Sequence, residues 1–313
     1  MNELEEIRAA QAVIEGKLHR TPLMRSSYLG DSLGVRLDFK MEMFQKTGSF
    51  KIRGVLNKLA SLSVEEKSRG VIGMSSGNHA QALAYGASLE GVAATIVMPA
   101  YSVAGKIDAT KAYGGEVHVT AENLIAACER IREERGLALV HPFDDPKIIA
   151  GAGTLGLEIL EDAPDVDSIF VSVGGGGLVS GVATAAKLSR PGVKVIGVEP
   201  EGACAMTKSL TEGKPVHLEK VETVADGLAA PFSGRHTLDR VQRYVDEIVL
   251  VSDEEILEAM RLIIERCKVV PEPSAAASFA ALRPGRAKTP LGRRVVCVLS
   301  GGNIDCARLK TLL

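Results

Sequence analysis

The sequence predicts a mostly parallel α/β fold. Short apolar runs alternate with helical stretches almost from one end of the chain to the other. Such runs, without polar alternation, are typical of parallel strands that are covered on both faces. The helical stretches between them supply the crossovers that parallel strands require.

The first predicted strand has a different pattern from the rest. Residues 35–43 alternate apolar side chains with Arg36, Asp38, Lys40 and Glu42, which predicts a strand with one face in solvent. The other strands are predicted from apolar runs at residues 70–74, 94–98, 116–119, 138–141, 168–173, 194–198, 248–251 and 294–299.

Three helices carry clear local signals. Residues 49–62 follow a loop rich in small residues, and residues 122–135 place apolar side chains on one stripe. Residues 253–267 follow Ser252 as N-cap, with Glu255 at the spacing of a capping box.

Two prolines mark the expected domain crossing. Pro142 and Pro146 follow a predicted strand, and no linker rich in Pro, Gly or Ser divides the chain elsewhere. We therefore expect a large domain from residues 1–61 and 147–313, with residues 62–146 as a small inserted domain.

Composition excludes several classes of protein. The 313 residues include 37 Lys and Arg against 39 Asp and Glu, a net charge of -2 that disfavours nucleic-acid and anionic-membrane surfaces. The five Cys are scattered without zinc spacing, so we expect a reduced cytoplasmic chain without disulfides. Residues 168–186 carry no charge, but four glycines interrupt them, which indicates a strand and a helix instead of a membrane span.

The first of four motifs places Lys51 at the start of a helix, after Thr47-Gly48-Ser49-Phe50. A cation in the first turn opposes the helix dipole. The neighbouring Arg53 is expected to depress the pKa of the amine, which makes it a nucleophile. The alternative is an ordinary exposed lysine.

The second motif, residues 73–79, lies between a strand and a helix and consists largely of small residues. Free backbone N–H groups at such a helix start bind an anion such as a carboxylate. One alternative is an ordinary N-cap formed by Ser75 or Ser76. Another is the Gly-x-Ser-x-Gly elbow of a serine hydrolase, with Asp226 and His236 completing the triad.

The remaining two motifs also follow strands. The glycines at residues 174–177 let the backbone approach a phosphate closely. They fail the dinucleotide fingerprint, because Val179 stands at its last glycine position, although Glu199 follows where a ribose-binding acid would lie. Ser300 follows the last strand, where ligands bind in open α/β sheets.

Together the four motifs resemble those of the fold type II pyridoxal-phosphate enzymes, in the branch of threonine dehydratases and serine racemases. The resemblance extends from His19 to Asn303. Its most specific segments are Gln45-x-Thr47-Gly48-Ser49-Phe50-Lys51-x-Arg53-Gly54 and Ser76-Gly77-Asn78-His79.

The resemblance implies a role for each motif. Pyridoxal 5'-phosphate is the implied cofactor, and Lys51 forms the Schiff base with its aldehyde. Asn78 bonds the ring hydroxyl, and Ser300 faces the pyridine nitrogen. The other implied cofactor contacts are Phe50 and the phosphate-binding residues Gly174, Gly175, Gly176, Gly177 and Leu178. The implied site for the substrate carboxylate consists of Ser75, Ser76, Gly77, Asn78 and His79.

The implied activity is the β-elimination of L-threonine, and of L-serine, to a 2-oxo acid and ammonia. Lys51 is the implied base at Cα, and Ser76 is available on the opposite face. The neutral Ser300 favours elimination because it cannot stabilise a protonated ring, and Phe143 resembles the dehydratase version of its motif. The alternatives are a serine racemase, a 3-hydroxyaspartate dehydratase and a non-enzymatic carrier of the cofactor.

The family's divalent-metal site is incomplete in this sequence. Glu199 is present and Ala203 offers a carbonyl oxygen, but Ala205 stands where the family has a second acid. We therefore expect no divalent metal. The expected partner is a small hydroxy amino acid, with no nucleic acid and no membrane, and the expected assembly is a homodimer or homotetramer.

Overall fold

The computed structural model describes all 313 residues, and two sheets form its centre. The strands of the larger sheet are β1 (Leu23–Arg25), β2 (Arg36–Met41), β7 (Ser168–Ser172), β8 (Lys194–Pro200), β9 (Glu247–Val251) and β10 (Arg294–Leu299). Their order is β1-β2-β10-β7-β8-β9, and only β1 runs antiparallel to its neighbour.

The smaller sheet is entirely parallel. Its strands are β3 (Val71–Met74), β4 (Ala94–Pro99), β5 (Glu116–Thr120) and β6 (Ala138–Leu139), in the order β5-β4-β3-β6. All four lie within residues 62–146. The domain boundaries themselves stay a prediction.

Fourteen α-helices cover the sheets. They are α1 (Glu3–Ile14), α2 (Ser27–Leu33), α3 (Lys51–Ala60), α4 (Val64–Arg69), α5 (Asn78–Leu89), α6 (Ala104–Ala112), α7 (Leu124–Arg135), α8 (Pro146–Asp162), α9 (Gly177–Ser189), α10 (Ala205–Glu212), α11 (Arg235–Tyr244), α12 (Asp253–Cys267), α13 (Pro273–Ala280) and α14 (Cys306–Leu312). None of them combines the length and the apolar composition that a membrane crossing requires.

The predicted α/β fold class is confirmed, with small differences at element ends. The antiparallel β1 was not predicted, because three residues carry too little pattern. The helix expected over residues 49–62 begins only at Lys51, since a 3₁₀ turn precedes it and Thr47 in that turn has a φ of 65°.

The prediction of a half-exposed β2 is wrong. The strand is buried from Leu37 to Met41, and Asp38 and Lys40 are 3% and 0% exposed. Both charges have partners: Arg294 donates to Asp38 at 2.8 Å, and Lys40 pairs with Glu158 at 2.7 Å. The alternating charged side chains of β2 are therefore buried in ion pairs and do not form a face exposed to solvent.

Four buried charged side chains connect α3 with β2 and α8. They are Lys40, Glu42, Arg53 and Glu158, and we call them the Arg53 cluster. Arg53 donates to both oxygens of Glu42, at 2.7 and 2.8 Å, and to both of Glu158, at 2.6 and 3.0 Å. Burial opposes the charge of Arg53, but the two carboxylates outweigh it and raise its pKa. The start of α3 is thereby fixed.

Close helix packing reinforces this position. A Cβ at Gly151 of α8 would lie 2.6 Å from the Cα of Gly54 in α3, so only glycine lets the two backbones approach this closely. On its other side, α3 contributes Ile52, Val55, Leu56 and Leu59 to the core beneath the smaller sheet. Helix α3 therefore packs against α8 on one side and against the core of the smaller sheet on the other.

Removal of Arg53 should be costly. We expect Arg53→Met to lower the free energy of unfolding by about 3–5 kcal/mol, because it leaves the buried carboxylate of Glu42 without its ion-pair partner. Urea unfolding followed by circular dichroism measures this. The matched control is Arg69→Met, which removes an exposed pair with Glu65 and should cost below about 1 kcal/mol. Equal stability of the two variants would contradict the role of the cluster.

Candidate active site

A cavity of about 530 Å³ lies where three parallel strands end. Residues 75–79, the serine loop, follow β3. Residues 174–178, the glycine loop, lie just beyond β7, and Ser300 follows β10. All the predicted cofactor and carboxylate residues line this cavity: Phe50, Lys51, Ser75, Ser76, Gly77, Asn78, His79, Gly174, Gly175, Gly176, Gly177, Leu178 and Ser300.

Lys51 is the first residue of α3, and its Nζ donates to the Pro142 carbonyl at 2.8 Å. Loss of hydration lowers the pKa of the amine to about 8, although Glu272 opposes the shift. The pKa of Lys51 is lowered, as predicted from the sequence. The predicted cause, the nearby charge of Arg53, is wrong. Arg53 is neutralised by Glu42 and Glu158 instead of acting on the lysine.

The serine loop leads into α5, whose N-cap is Gly77. No side chain caps this helix, so the alternative of a cap formed by Ser75 or Ser76 is wrong. The Ser75 hydroxyl instead accepts a bond from the Gly77 N–H at 3.1 Å. The first turn of α5 therefore keeps N–H donors that can bind an anion in the cavity.

His79 and Asn78 begin α5 and are held by neighbouring groups. The His79 ring lies 2.9 Å from the Val140 carbonyl, and burial lowers its pKa to about 3, so the ring is neutral. Asn78 donates to Glu272 at 2.8 Å and accepts from Asn303 at 2.8 Å. The amide of Asn78 is thus held in one orientation.

Sequence reasoning missed Glu272 and Asn303 as site residues. Glu272 is 8% exposed, and burial raises its pKa to about 7. The available signal was an acid between Pro271 and Pro273, directly before the apolar α13.

The glycine loop forms a cradle that side chains would fill. A Cβ at Gly175 would collide with the ring of Phe143, and one at Gly176 would lie 2.5 Å from the Met206 Cε. Gly176 also has a φ of 92°, which favours glycine. The loop opens α9 without a side-chain cap, so it suits a phosphate.

The serine-hydrolase alternative is wrong on geometry. Asp226 lines the cavity, but His236 is exposed on α11 and does not. Its backbone N–H instead donates to Asp144 at 2.9 Å. No triad is therefore assembled around Ser75.

Glu199 and Ala203 are buried outside the cavity. Both oxygens of Glu199 accept bonds from the start of α10: Met206 N and Thr207 N at 2.8 Å, and Thr207 Oγ1 at 2.6 Å. No group of three acidic, His or Cys side chains is placed to hold a metal. The carboxylate of Glu199 is thus engaged by the start of α10, and Ala205 adds no side-chain oxygen beside it.

The cavity does fit pyridoxal phosphate. It combines an amine of lowered pKa, a glycine cradle and an uncapped helix start. Two buried atoms of lining residues, the His79 Nδ1 and the Ser172 hydroxyl, have no hydrogen-bond partner within the protein. Such unpaired polar atoms are rare unless a ligand or water completes them.

Known proteins match this chain along most of its length. A family model described as pyridoxal-phosphate dependent enzyme matches residues 14–301. An L-threonine ammonia-lyase of Thermotoga maritima is 47% identical over 308 residues, 97% of this chain and 76% of that protein. A serine racemase of Oryza sativa subsp. indica is 41% identical over 310 residues, 97% and 91% of the two chains.

The fold is shared as well. The structure of maize serine racemase superimposes with a TM-score of 0.94 at 40% identity, covering 98% of this chain and 95% of that one. The match covers both sheets and the cavity between them. The chain therefore belongs to the pyridoxal-phosphate dependent enzymes of fold type II, with pyridoxal 5'-phosphate as its cofactor.

Proposed function

We propose that this enzyme is a threonine ammonia-lyase, which converts L-threonine to 2-oxobutanoate and ammonia and also accepts L-serine. The observation that carries the proposal is the placement of Lys51 and the serine loop on the same cavity. An amine with a pKa of about 8 can act as a base near neutral pH. The 47% identity to an L-threonine ammonia-lyase supports the choice of substrate.

The serine loop is proposed to bind the substrate carboxylate. The uncapped start of α5 offers backbone N–H donors and the positive end of a helix dipole. The side chains of the serine loop itself add no cation, because His79 is neutral. A carrier without enzyme activity would not need this second anion site, which disfavours that alternative.

Bound pyridoxal phosphate supplies an electron-withdrawing ring that acidifies the Cα proton of an attached amino acid. Lys51 is proposed to remove that proton as general base. The C–O bond at Cβ would then break as the leaving hydroxyl takes up a proton, balanced overall by the proton that Lys51 removed, and departs as water. Hydrolysis of the released enamine gives the 2-oxo acid and ammonia.

The cofactor roles proposed for the other residues are those that the resemblance implies, and the placement of these residues on one cavity supports them. The glycine loop holds the phosphate, Asn78 the ring hydroxyl, and Ser300 the pyridine nitrogen, while Phe50 lies beside Lys51 with its ring centroid 5.1 Å from Nζ. A neutral hydroxyl at the nitrogen favours elimination over transamination.

Two related activities remain alternatives. Ser76 lines the same cavity as Lys51, so a second acid is available for a serine racemase. Lys106 and Arg308 also line the cavity and offer positive charge for the second carboxylate of 3-hydroxyaspartate. Lys106 is paired with Asp226 at 3.6 Å, however, and Phe143 favours the dehydratase. We further propose a cytoplasmic homodimer or homotetramer.

An activity panel tests the substrate assignment. We expect rapid deamination of L-threonine and L-serine, with slower interconversion of L- and D-serine. Ser76→Ala should reduce racemisation and D-serine deamination by about 100-fold or more, because racemisation needs an acid on the second face. L-Threonine deamination should persist in part.

The matched control for this panel is Ser68→Ala, because Ser68 bonds only within α4. It should leave every rate unchanged. A wild-type enzyme that racemises serine faster than it forms pyruvate would overturn the assignment in favour of a racemase.

Capture of the cofactor tests Lys51. The rate at which apo-protein binds pyridoxal phosphate covalently should rise with pH through about 8 and then level, because only the neutral amine reacts. If the pKa of the lysine were at its ordinary value of 10.5, the rate would continue to rise with pH up to about that pH. Borohydride reduction followed by peptide mapping should label Lys51 and leave Lys58, on the same helix, unlabelled. Labelling elsewhere would contradict the mechanism.

Metal addition tests the site at Glu199. EDTA or Mg²⁺ should change neither the activity nor the melting temperature, because the Glu199 oxygens already accept bonds from α10. Ala205→Asp restores the second carboxylate and should make the melting temperature rise with Mg²⁺ or Ca²⁺. Strong Mg²⁺ stimulation of the wild type, lost in Glu199→Gln, would be the contrary result.

A further inference from the structure

The cap of helix α11 comes from a segment that is distant in sequence. The helix begins after Gly234, which has no side chain to accept bonds from the first N–H groups of the helix. Asp144, in the segment between β6 and α8, takes this role. Its carboxylate accepts the backbone N–H groups of Arg235, His236 and Thr237 at 3.0, 2.9 and 3.1 Å. The start of α11 is therefore held by a carboxylate on another part of the chain.

The backbone on both sides of this contact is arranged to permit it. A Cβ at Gly234 would lie 2.0 Å from the Asp144 Cγ, so only glycine lets the carboxylate approach this closely. The His141 Nδ1 accepts the N–H of Asp144 at 2.8 Å and fixes the turn that presents it. Pro142 and Phe143 of the same segment line the cavity, whereas Asp144 does not.

The start of α11 contacts the glycine loop through Thr237. The fully buried Thr237 hydroxyl lies 2.8 Å from the Gly175 carbonyl, to which it donates, and 3.2 Å from the Gly234 carbonyl. A Cβ at Gly176 would lie 2.9 Å from the Thr237 Cβ, so the side chain packs directly against the loop. The glycine loop therefore rests on the end of α11 that Asp144 caps.

The bond from Thr237 orients the peptide group between Gly175 and Gly176. Every peptide bond of the chain is trans, so the C=O and N–H of one peptide group point in opposite directions. Because its C=O points to Thr237, this group directs the Gly176 N–H away from α11. No backbone carbonyl accepts that N–H. Both glycines line the cavity and Thr237 does not, so the free N–H is available to an anion there.

We propose that Asp144 is a positioning residue for the phosphate of the cofactor. By capping α11 it fixes Thr237, and Thr237 turns the Gly176 N–H toward the phosphate. This deepens the proposed function and rests on its placement of the phosphate at the glycine loop. Asp144 acts through its hydrogen bonds and not through its charge, because a carboxylate near a phosphate repels it.

Cofactor affinity is the first measurement, by equilibrium dialysis of the apo-protein against pyridoxal phosphate. We expect Asp144→Ala to weaken binding by about 3- to 10-fold, because the loop loses one oriented hydrogen bond. Asp144→Asn should restore most of the affinity, since an amide oxygen also caps a helix. Unchanged affinity in Asp144→Ala would overturn the proposal. Tighter binding by both variants would also overturn it, because the carboxylate would then act only as a charge.

Thr237→Val tests the route from Asp144 to the loop. It removes the hydroxyl that donates to Gly175, keeps the volume of the side chain and leaves the backbone N–H that Asp144 accepts. This variant should weaken binding by about as much as Asp144→Ala. The double variant should lose no more affinity than the weaker of the two single variants, because both changes act on one bond. Losses that add in the double variant would overturn the route through Thr237.

The matched control is Asn123→Ala, which removes a helix cap away from the cavity. The Asn123 side chain accepts the backbone N–H groups of Ile125 and Ala126 of α7, both at 3.1 Å. Its removal should lower the melting temperature, as Asp144→Ala does, and leave the cofactor affinity unchanged. An equal loss of affinity in Asn123→Ala and Asp144→Ala would identify a general loss of stability and overturn the positioning role.

The ³¹P resonance of the bound cofactor shows whether the effect reaches the phosphate. Asp144→Ala, Thr237→Val and Gly176→Ala should each shift it, because each alters the glycine loop. A shift in Gly176→Ala alone would overturn the role of Asp144 and leave the phosphate at the loop. No shift in any of the three variants would overturn the placement of the phosphate itself. Neither result depends on which amino acid the enzyme deaminates, which the activity panel measures separately.

Discussion

The Arg53 cluster is the contact on which the position of the candidate active site depends. Arg53 lies two residues after Lys51. It donates hydrogen bonds to Glu42, which directly follows β2, and to Glu158 in α8. Two positive and two negative side chains meet away from water, so none can leave without stranding a buried charge. The flexible side chain of Lys51 therefore extends from a backbone that cannot shift relative to either element.

The most buried titratable groups of the cavity favour their neutral forms. Burial lowers the pKa values of Lys51 and His79 and raises that of Glu272. The buried permanent charges lie instead in the Arg53 cluster, whose residues do not line the cavity. The uncapped starts of α5 and α9 offer backbone N–H donors to anions, and these donors have no proton equilibrium of their own. A base of moderate strength can operate between two such anion sites.

Much of this organisation could be predicted because it is local. A strand, a turn of small residues and a helix start are encoded within a few consecutive residues, as at the serine and glycine loops. The glycine loop and Ser300 follow parallel strands of one sheet, whose carboxyl ends lie at the same edge. The prediction from pattern was wrong at β2, because Asp38 and Lys40 alternate with apolar residues as they would in a half-exposed strand. Their partners, Arg294 and Glu158, are distant in sequence.

The sequence by itself determined the α/β class, the lysine, and the two loops that can bind anions, because short-range pattern and motif chemistry specify them. Only the tertiary structure decided the cause of the lowered pKa of Lys51, the presence of Glu272 in the site and the unpaired state of Ser172. Burial and hydrogen bonding depend on which distant segments pack together, as in the bond from Asn78 to Glu272. No local pattern records the neighbours that remove water from a side chain or leave it without a partner.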